Sequence, residues 1–210
     1  IVKDLDSADD YLNVDSWQPG YNYRFTTLSV DALRSRVMLY MGRWDEARKA
    51  ADRVLVVKNA LSAVGSELPN AYNSAENILA LEQVMSAQYA RALKVNRDFY
   101  RLFSSSDLRR RAYFNQVTSS NILLVKGGSN THTCSFRVAE MLLNAAEAAC
   151  RDGLTDDAAD YLLTLQRTRY NDGGAAKEAA IADMTQDQLL AEILDERARE
   201  LAFEGHRWFD

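Results

Sequence analysis

Apolar residues recur at helical spacing along much of this chain, and the breaks between the stripes predict its elements. Val2, Leu5, Ala8 and Leu12 fall on one side of a short acidic segment. The run Trp17-Gln18-Pro19-Gly20-Tyr21-Asn22-Tyr23 then reads as a loop broken by Pro-Gly. Thr26 or Thr27 suits the N-cap of a first long helix, whose predicted buried stripe is Val30, Leu33, Val37, Tyr40 and Met41. Gly42-Arg43-Trp44-Asp45 stops that helix and starts another, Gly42 taking the left-handed stop and Asp45 the cap. Ala47, Ala50, Ala51, Val54 and Leu55 form the second stripe, small enough for close helix packing.

The same arrangement recurs 111 positions later, with Gly153 where Gly42 stood. Phe136, Ala139, Leu143, Ala146 and Cys150 form a stripe, Asp156-Asp157-Ala158 replaces Asp45-Glu46-Ala47, and Leu162 and Leu165 follow. A helical pair of this size buries little alone and must stack on neighbours, as tetratricopeptide hairpins do. The hairpins are expected near 26–57 and 135–170, and an irregular insertion, 58–134, keeps them from forming a simple solenoid.

Within the insertion, Asn77 to Glu82 reads as a short strand or a helix start, which periodicity alone does not separate. Phe99, Leu102 and Phe103 suggest one amphipathic turn, Ser104 to Asp107 a cap and turn, and Ile122 to Lys126 a buried strand. Tyr170 to Gly174 is a loop, and Thr185 or Asp187 opens the last helix, expected over 187–208. The pattern thus predicts a mainly α fold: tetratricopeptide-like helical hairpins with a small irregular part carrying short β-strands, in a single domain over 1–210. Nine glycines and two prolines in 210 residues agree with long helices.

Charge narrows the partners. A net charge of -5 disfavours nucleic acid, which needs a basic face. No apolar run approaches the roughly 18 residues of a membrane span. The chain opens inside a patterned segment and closes inside its strongest motif, so it reads as a portion of a longer protein.

Candidate chemistry is sparse. His132, Cys134, Cys150 and His206 are the only histidines and cysteines, and they lack paired zinc-ligand spacing. Cys134 and Cys150 would stand about 20 Å apart along the chain, so two free thiols are expected. His132-Thr133-Cys134 is read as a loop histidine beside an incidental cysteine, since no cation cluster or nucleophile motif activates the thiol. Acids gather at helix starts or along helix edges expected to be exposed, where capping, the helix dipole and ion pairing explain them. Arg109 to Arg111 reads as a set of ion-pair partners. No catalytic residue, metal or cofactor is predicted.

Sugar binding asks for flat aromatic faces with amide and charged hydrogen-bonders beside them. Trp17, Gln18, Tyr21, Asn22, Tyr23 and Arg24 offer that mixture in a loop. Two readings stay open for these residues, a sugar-binding surface and an aromatic plug on the end of the first hairpin. Tyr113, Phe114, Asn115 and Gln116 are a weaker second candidate, and Trp44 at the hairpin turn is expected to pack.

The final stretch adds another kind of information. Glu196, Glu200 and Glu204 stand four apart on a helix edge beside Arg197 and Arg199, with Leu190, Ile193, Leu194, Leu201 and Ala202 opposite. The expected role is an ion-paired face around a docked aromatic end, Trp208 and Phe209 included. The spelling Glu196-Arg197-x-Arg199-Glu200-Leu201-Ala202-Phe203-Glu204-Gly205-His206-Arg207-Trp208-Phe209-Asp210 closely resembles the signature helix of the SusD/RagB family. Asp4-Leu5-x-x-Ala8, both hairpins and Asp107-Leu108-Arg109 also resemble family segments, and the resemblance favours a strand at Asn77.

The resemblance implies a non-catalytic, surface-exposed lipoprotein of the outer membrane in Bacteroidetes, which binds a glycan or oligosaccharide for a SusC-like TonB-dependent transporter. It would be held to the membrane only by a lipid anchor outside this chain. It also marks Glu196, Arg197, Arg199, Glu200, Glu204, Gly205, His206, Arg207 and Trp208 as the family signature, expected to be structural, with Glu204 to Trp208 not expected to touch ligand. The competing expectation is a tetratricopeptide-like scaffold that binds a protein or peptide.

Overall fold

The computed structural model describes residues 1–65, 68–81, 88, 92–126 and 133–206. The expectations for His132, Arg207, Trp208 and Phe209 lie outside the described residues. The fold is mainly α, with two small two-stranded sheets among the described residues. Helices α1 (Val2–Tyr11), α2 (Thr27–Tyr40) and α3 (Trp44–Val57) come first. Strand β1 (Asn77–Leu79), helices α4 (Arg97–Arg101) and α5 (Arg109–Tyr113), and strands β2 (Phe114–Thr118), β3 (Asn121–Leu124) and β4 (Phe136–Arg137) follow. Helices α6 (Val138–Arg151), α7 (Thr155–Gln166), α8 (Ala175–Ile181) and α9 (Gln186–Glu200) complete the described chain. β1 pairs antiparallel with β4, and β2 with β3.

The two hairpin turns match atom for atom. Gly42 and Gly153 take φ of 71° and 79°, open to glycine at little steric cost. After them the Arg43 amide donates to the Met38 carbonyl and the Leu154 amide to the Ala149 carbonyl, both at 2.9 Å. Asp45 is not the cap; α3 begins at Trp44, and Asp45 lies in its first turn, where it meets Lys49 at 2.7 Å. Thr26 and Thr185 are the N-caps of α2 and α9, each completed as a capping box by Ser29 or Gln188.

The buried face of α2 differs from the predicted stripe. Ser29, Val30, Ala32, Ser35, Met38 and Leu39 are buried, whereas Tyr40 and Met41 are about half exposed. Small residues decide the orientation, because Ala32 and Ser35 let α2 approach its neighbours closely. Ser35 also accepts a hydrogen bond from the Asn144 amide of α6 at 3.2 Å.

Helix α6 is the hub. Every residue from Val138 to Cys150 is buried, and α2, α3, α7 and α9 pack around it. Its apolar side chains join those of α7 and α9 in one cluster, and Met141 and Ala145 join α2, α3 and β1 in another. A third, aromatic cluster gathers Phe103, Tyr113, Phe114 and Ile122 beneath β2 and β3, with Ala202 against it.

Helix α9 ends earlier than the expected 187–208. It stops at Glu200, and turns carry Leu201 to Gly205, with Phe203 and Gly205 at φ of 61° and 89°. The left-handed residues bend the chain so that Glu204 turns back toward the core.

Candidate functional site

Two constellations stand out: a buried charge cluster around α9 and an aromatic cleft before α2. The acidic edge of α9 is not exposed. Glu196, Arg197, Arg199 and Glu200 are all buried. Three guanidinium groups converge on the Glu200 carboxylate. Arg137 Nη1 lies 2.6 Å from Oε1, Arg169 Nη2 2.9 Å from the same oxygen, and Arg109 Nη1 2.7 Å from Oε2.

Each guanidinium has a second anchor. Arg169 reaches Glu76 Oε1 at 2.6 Å, Arg109 reaches Asp107 and Glu196, and Arg137 takes both oxygens of Glu204, at 2.8 and 2.9 Å. Lys126 Nζ donates to Glu204 at 2.6 Å and to the Glu200 carbonyl at 2.7 Å.

Burial alone would raise the Glu200 carboxyl, but Arg169, Arg137 and Arg109 together hold it well below the usual carboxylate range. The same contest brings Glu204 down to about 2 through Arg137 and Lys126. Burial dominates at Lys126 and lowers its ammonium to about 8 despite Glu204. Arg109, Arg137, Arg169, Arg199 and Lys126 pair with Asp107, Glu76, Glu196, Glu200 and Glu204, five cations with five carboxylates. The cluster ties α9 to α5, β1, β4 and the segment after α7. His206 is also buried, and burial lowers its imidazole. Gly205 takes one of the left-handed turns.

Sequence reasoning found the α9 acids and Arg109 but missed Glu76, Lys126, Arg137 and Arg169. Their signal was faint but present: Lys126 ends the run Ile122 to Val125, and Arg137 interrupts Phe136 and Val138.

The aromatic segment forms a surface cleft. The Arg24 guanidinium lies 4.8 Å from the Trp17 ring centroid, 4.5 Å from that of Tyr21 and 6.0 Å from that of Tyr23. The loop is pinned in place: Trp17 Nε1 donates to the Phe25 carbonyl at 2.9 Å, Asn22 Nδ2 to the Tyr72 carbonyl at 2.8 Å, and the Tyr72 hydroxyl to the Gly20 carbonyl at 2.8 Å. The Ala80 amide donates to the Asn22 carbonyl at 2.9 Å, which fastens the loop to the end of β1.

Trp17, Tyr21, Asn22 and Arg24 line a cavity of about 150 Å³ with Lys58, Asn77 and Asp15. Gln18 and Tyr23 lie outside that lining, both exposed. Trp17, Tyr21, Tyr23 and Phe25 keep 38–56% of their surfaces exposed.

The second aromatic candidate is corrected in part. Tyr113 and Phe114 are buried core residues packed edge to face against Phe103, and only Asn115 and Gln116 are exposed. Their ring faces are spent on packing. Trp44 lies over the hairpin turn with the Arg151 guanidinium 4.8 Å from its ring. Both cysteines are free and buried, and burial pushes the Cys134 thiol up to about 12. Among the described residues, no His, Cys, Asp and Glu side chains group as metal ligands, and no helix is long and apolar enough to cross a membrane.

The sequence model of the SusD family matches residues 92–210, more than half of the chain. The chain belongs to the SusD family. Solved structures agree in fold. A SusD-like carbohydrate binding protein from Bacteroides vulgatus superposes with a TM-score of 0.75 at 22% identity, covering 98% of this chain and 48% of that one. A SusD superfamily protein from Bacteroides fragilis gives 0.79 at 22% identity, with 98% and 51% covered. One from Bacteroides thetaiotaomicron gives 0.76 at 23% identity, with 97% and 52% covered. The chain spans about half the length of these SusD relatives. No curated protein matches the sequence.

In this SusD chain the motif that carries the family resemblance is the one that builds the buried cluster. Its described members meet protein partners or turn the backbone.

Proposed function

We propose that this chain belongs to a non-catalytic, surface-exposed nutrient-binding lipoprotein, which captures a glycan or oligosaccharide for a SusC-like TonB-dependent transporter in the outer membrane. Its anchor would be a lipid outside this chain. Family membership supports the reading, as does the Bacteroides vulgatus relative described as a SusD-like carbohydrate binding protein. Within the chain, one observation carries it: four aromatic side chains, Trp17, Tyr21, Tyr23 and Phe25, stay at the surface beside a cavity lined by the amides of Asn22 and Asn77. Apolar burial does not account for them, and saccharide recognition uses such neighbours. Tyr23 and Phe25 lie beside the lining and can extend the surface along a longer oligosaccharide.

Affinity electrophoresis of the chain in gels containing a panel of polysaccharides tests the proposal. Retardation by at least one polysaccharide is expected, with Trp17→Ala and Tyr21→Ala each weakening it about tenfold, since a stacked aromatic contributes on the order of 1 kcal/mol or more. Unchanged retardation in both variants would remove the site. Tight binding to a peptide with no response to any polysaccharide would remove the saccharide reading.

A further inference from the structure

Resting on that saccharide reading, we infer that the cleft selects an acidic saccharide, one bearing a carboxylate or sulfate, with Arg24 and Lys58 as its charge-reading residues. The Arg24 guanidinium carbon lies over the Trp17 and Tyr21 rings at 4.8 and 4.5 Å, and so covers part of the faces that a neutral pyranose would need. A cation–π contact uses no N–H hydrogen bond, and the guanidinium N–H groups are the part that recognises planar oxyanions. Among the described residues those N–H groups have no hydrogen-bond acceptor and no carboxylate partner.

Lys58, at the C-terminal end of α3, lines the same cavity and likewise has no carboxylate partner among the described residues. Several other arginines of this acidic chain are held differently. Arg36, Arg53, Arg109, Arg137 and Arg169 each meet at least one carboxylate within 3.0 Å. Leaving two cations unneutralised at one cavity, in a chain of net charge -5, gives that cavity a local sign opposite to the whole.

Asp15 also lines the cavity, and it already accepts a hydrogen bond from the Thr27 hydroxyl at 3.1 Å. The lining therefore keeps one positive charge in excess. Asn77 supplies an independent sign of an incomplete site. It lines the cavity and is 8% exposed; its amide nitrogen donates to the Tyr72 carbonyl at 2.7 Å, but its buried Oδ1 has no partner among the described residues. A buried acceptor left unpaired is costly, and a ligand hydroxyl that reached it would satisfy it. Anion, hydroxyl and apolar ring edge together describe one sugar residue carrying an acidic group.

The test titrates the 210-residue chain with paired glycans: oligogalacturonate, alginate and chondroitin oligosaccharides for carboxylates, and sulfated galactans for sulfate, each beside its carboxyl-reduced or desulfated counterpart. At low ionic strength at least one acidic member is expected to bind about tenfold more tightly than its neutral counterpart, the scale of one charge-assisted hydrogen bond. The arm that shows the preference identifies the acidic group. Arg24→Gln and Lys58→Gln, with melting temperatures unchanged, should each shrink the ratio of acidic to neutral affinity. Equal or tighter binding of the neutral members overturns the inference and leaves the saccharide reading intact. A preference that survives both substitutions overturns the assignment to these residues. Failure of every member to bind overturns the inference together with the saccharide reading.

Discussion

The Glu200 carboxylate and the Arg137 guanidinium meet at 2.6 Å, one from the last helix and one from the strand leading into the central helix, and both side chains are buried. Because Arg109 and Arg169 share that carboxylate, Glu200→Gln would leave three buried guanidinium groups short of charge compensation. A loss of about 3–5 kcal/mol in unfolding free energy is expected, the range for breaking a buried pair from one side. Urea unfolding measures it, and an unchanged midpoint would remove the cluster from the account of stability.

Lys126→Met should behave differently. Arg137 still holds both Glu204 oxygens and still donates to the Glu200 carbonyl at 2.8 Å. Burial already drives the Lys126 ammonium down to about 8, so its charge is held at a cost. The expected change is a loss of about 1–2 kcal/mol by the same urea measurement, smaller than for Glu200→Gln because Glu204 keeps Arg137 as its partner. A loss as large as that of Glu200→Gln would contradict this.

Acid should weaken the fold through these carboxylates. Glu204 titrates near 2 in the folded chain against roughly 4.3 when unfolded. The unfolded chain therefore binds more protons in that interval. The stabilisation is complete above the unfolded value and is lost as pH falls toward 2, by about 3 kcal/mol for this group. Glu196 and Glu200 shift in the same direction. Melting temperatures should stay nearly level from pH 6 to about pH 5 and then fall steeply toward pH 2, on the order of several degrees per pH unit, and Glu204→Gln should flatten the slope.

Two glycines separate backbone strain from crowding. Gly153 has φ of 79° and open space where a Cβ would go, so Gly153→Ala should cost about 1 kcal/mol from the left-handed backbone alone. At Gly174, φ is 80° and a Cβ would lie 3.2 Å from the Arg167 amide nitrogen and 3.3 Å from its Cα. Backbone atoms cannot swing aside, so Gly174→Ala should cost more, about 2–3 kcal/mol. Equal melting temperatures for the two variants would refute the distinction.

Thiol labelling offers a direct check of the buried cysteines. Cys134 carries a thiol raised to about 12, and Cys150 is raised in the same direction by burial. At pH 8 neither should react appreciably with a disulfide reagent until denaturant is added, when both thiols should label. Rapid labelling of the native chain would show that one is accessible.

The hairpins were legible in the sequence because glycine punctuation and apolar spacing state the same thing twice, at Gly42 and at Gly153. The face of α2 was not, because Ser29, Ala32 and Ser35 are buried for their smallness, which a hydrophobic stripe does not register. The charge cluster was half visible. Glu196, Glu200 and Glu204 were found at helical spacing, but their depth depends on Glu76, Arg137 and Arg169, which are remote in the chain. Local pattern reports spacing, and burial of a charge depends on partners brought together only by folding. Trp17, Tyr21, Asn22 and Arg24 do converge at one cleft, whereas Tyr113 and Phe114 show how easily an aromatic pair beside amides turns out to be core.

A helix enclosed on every side has a consequence for motion. Val138 to Cys150 cannot be uncovered by fraying at the chain's ends or by movement of the Trp17 loop, since α2, α3, α7 and α9 surround them. Their amides should exchange with deuterium only when the whole chain opens, with protection that reports the free energy of global unfolding. This central rod then keeps one shape while the surface loops move.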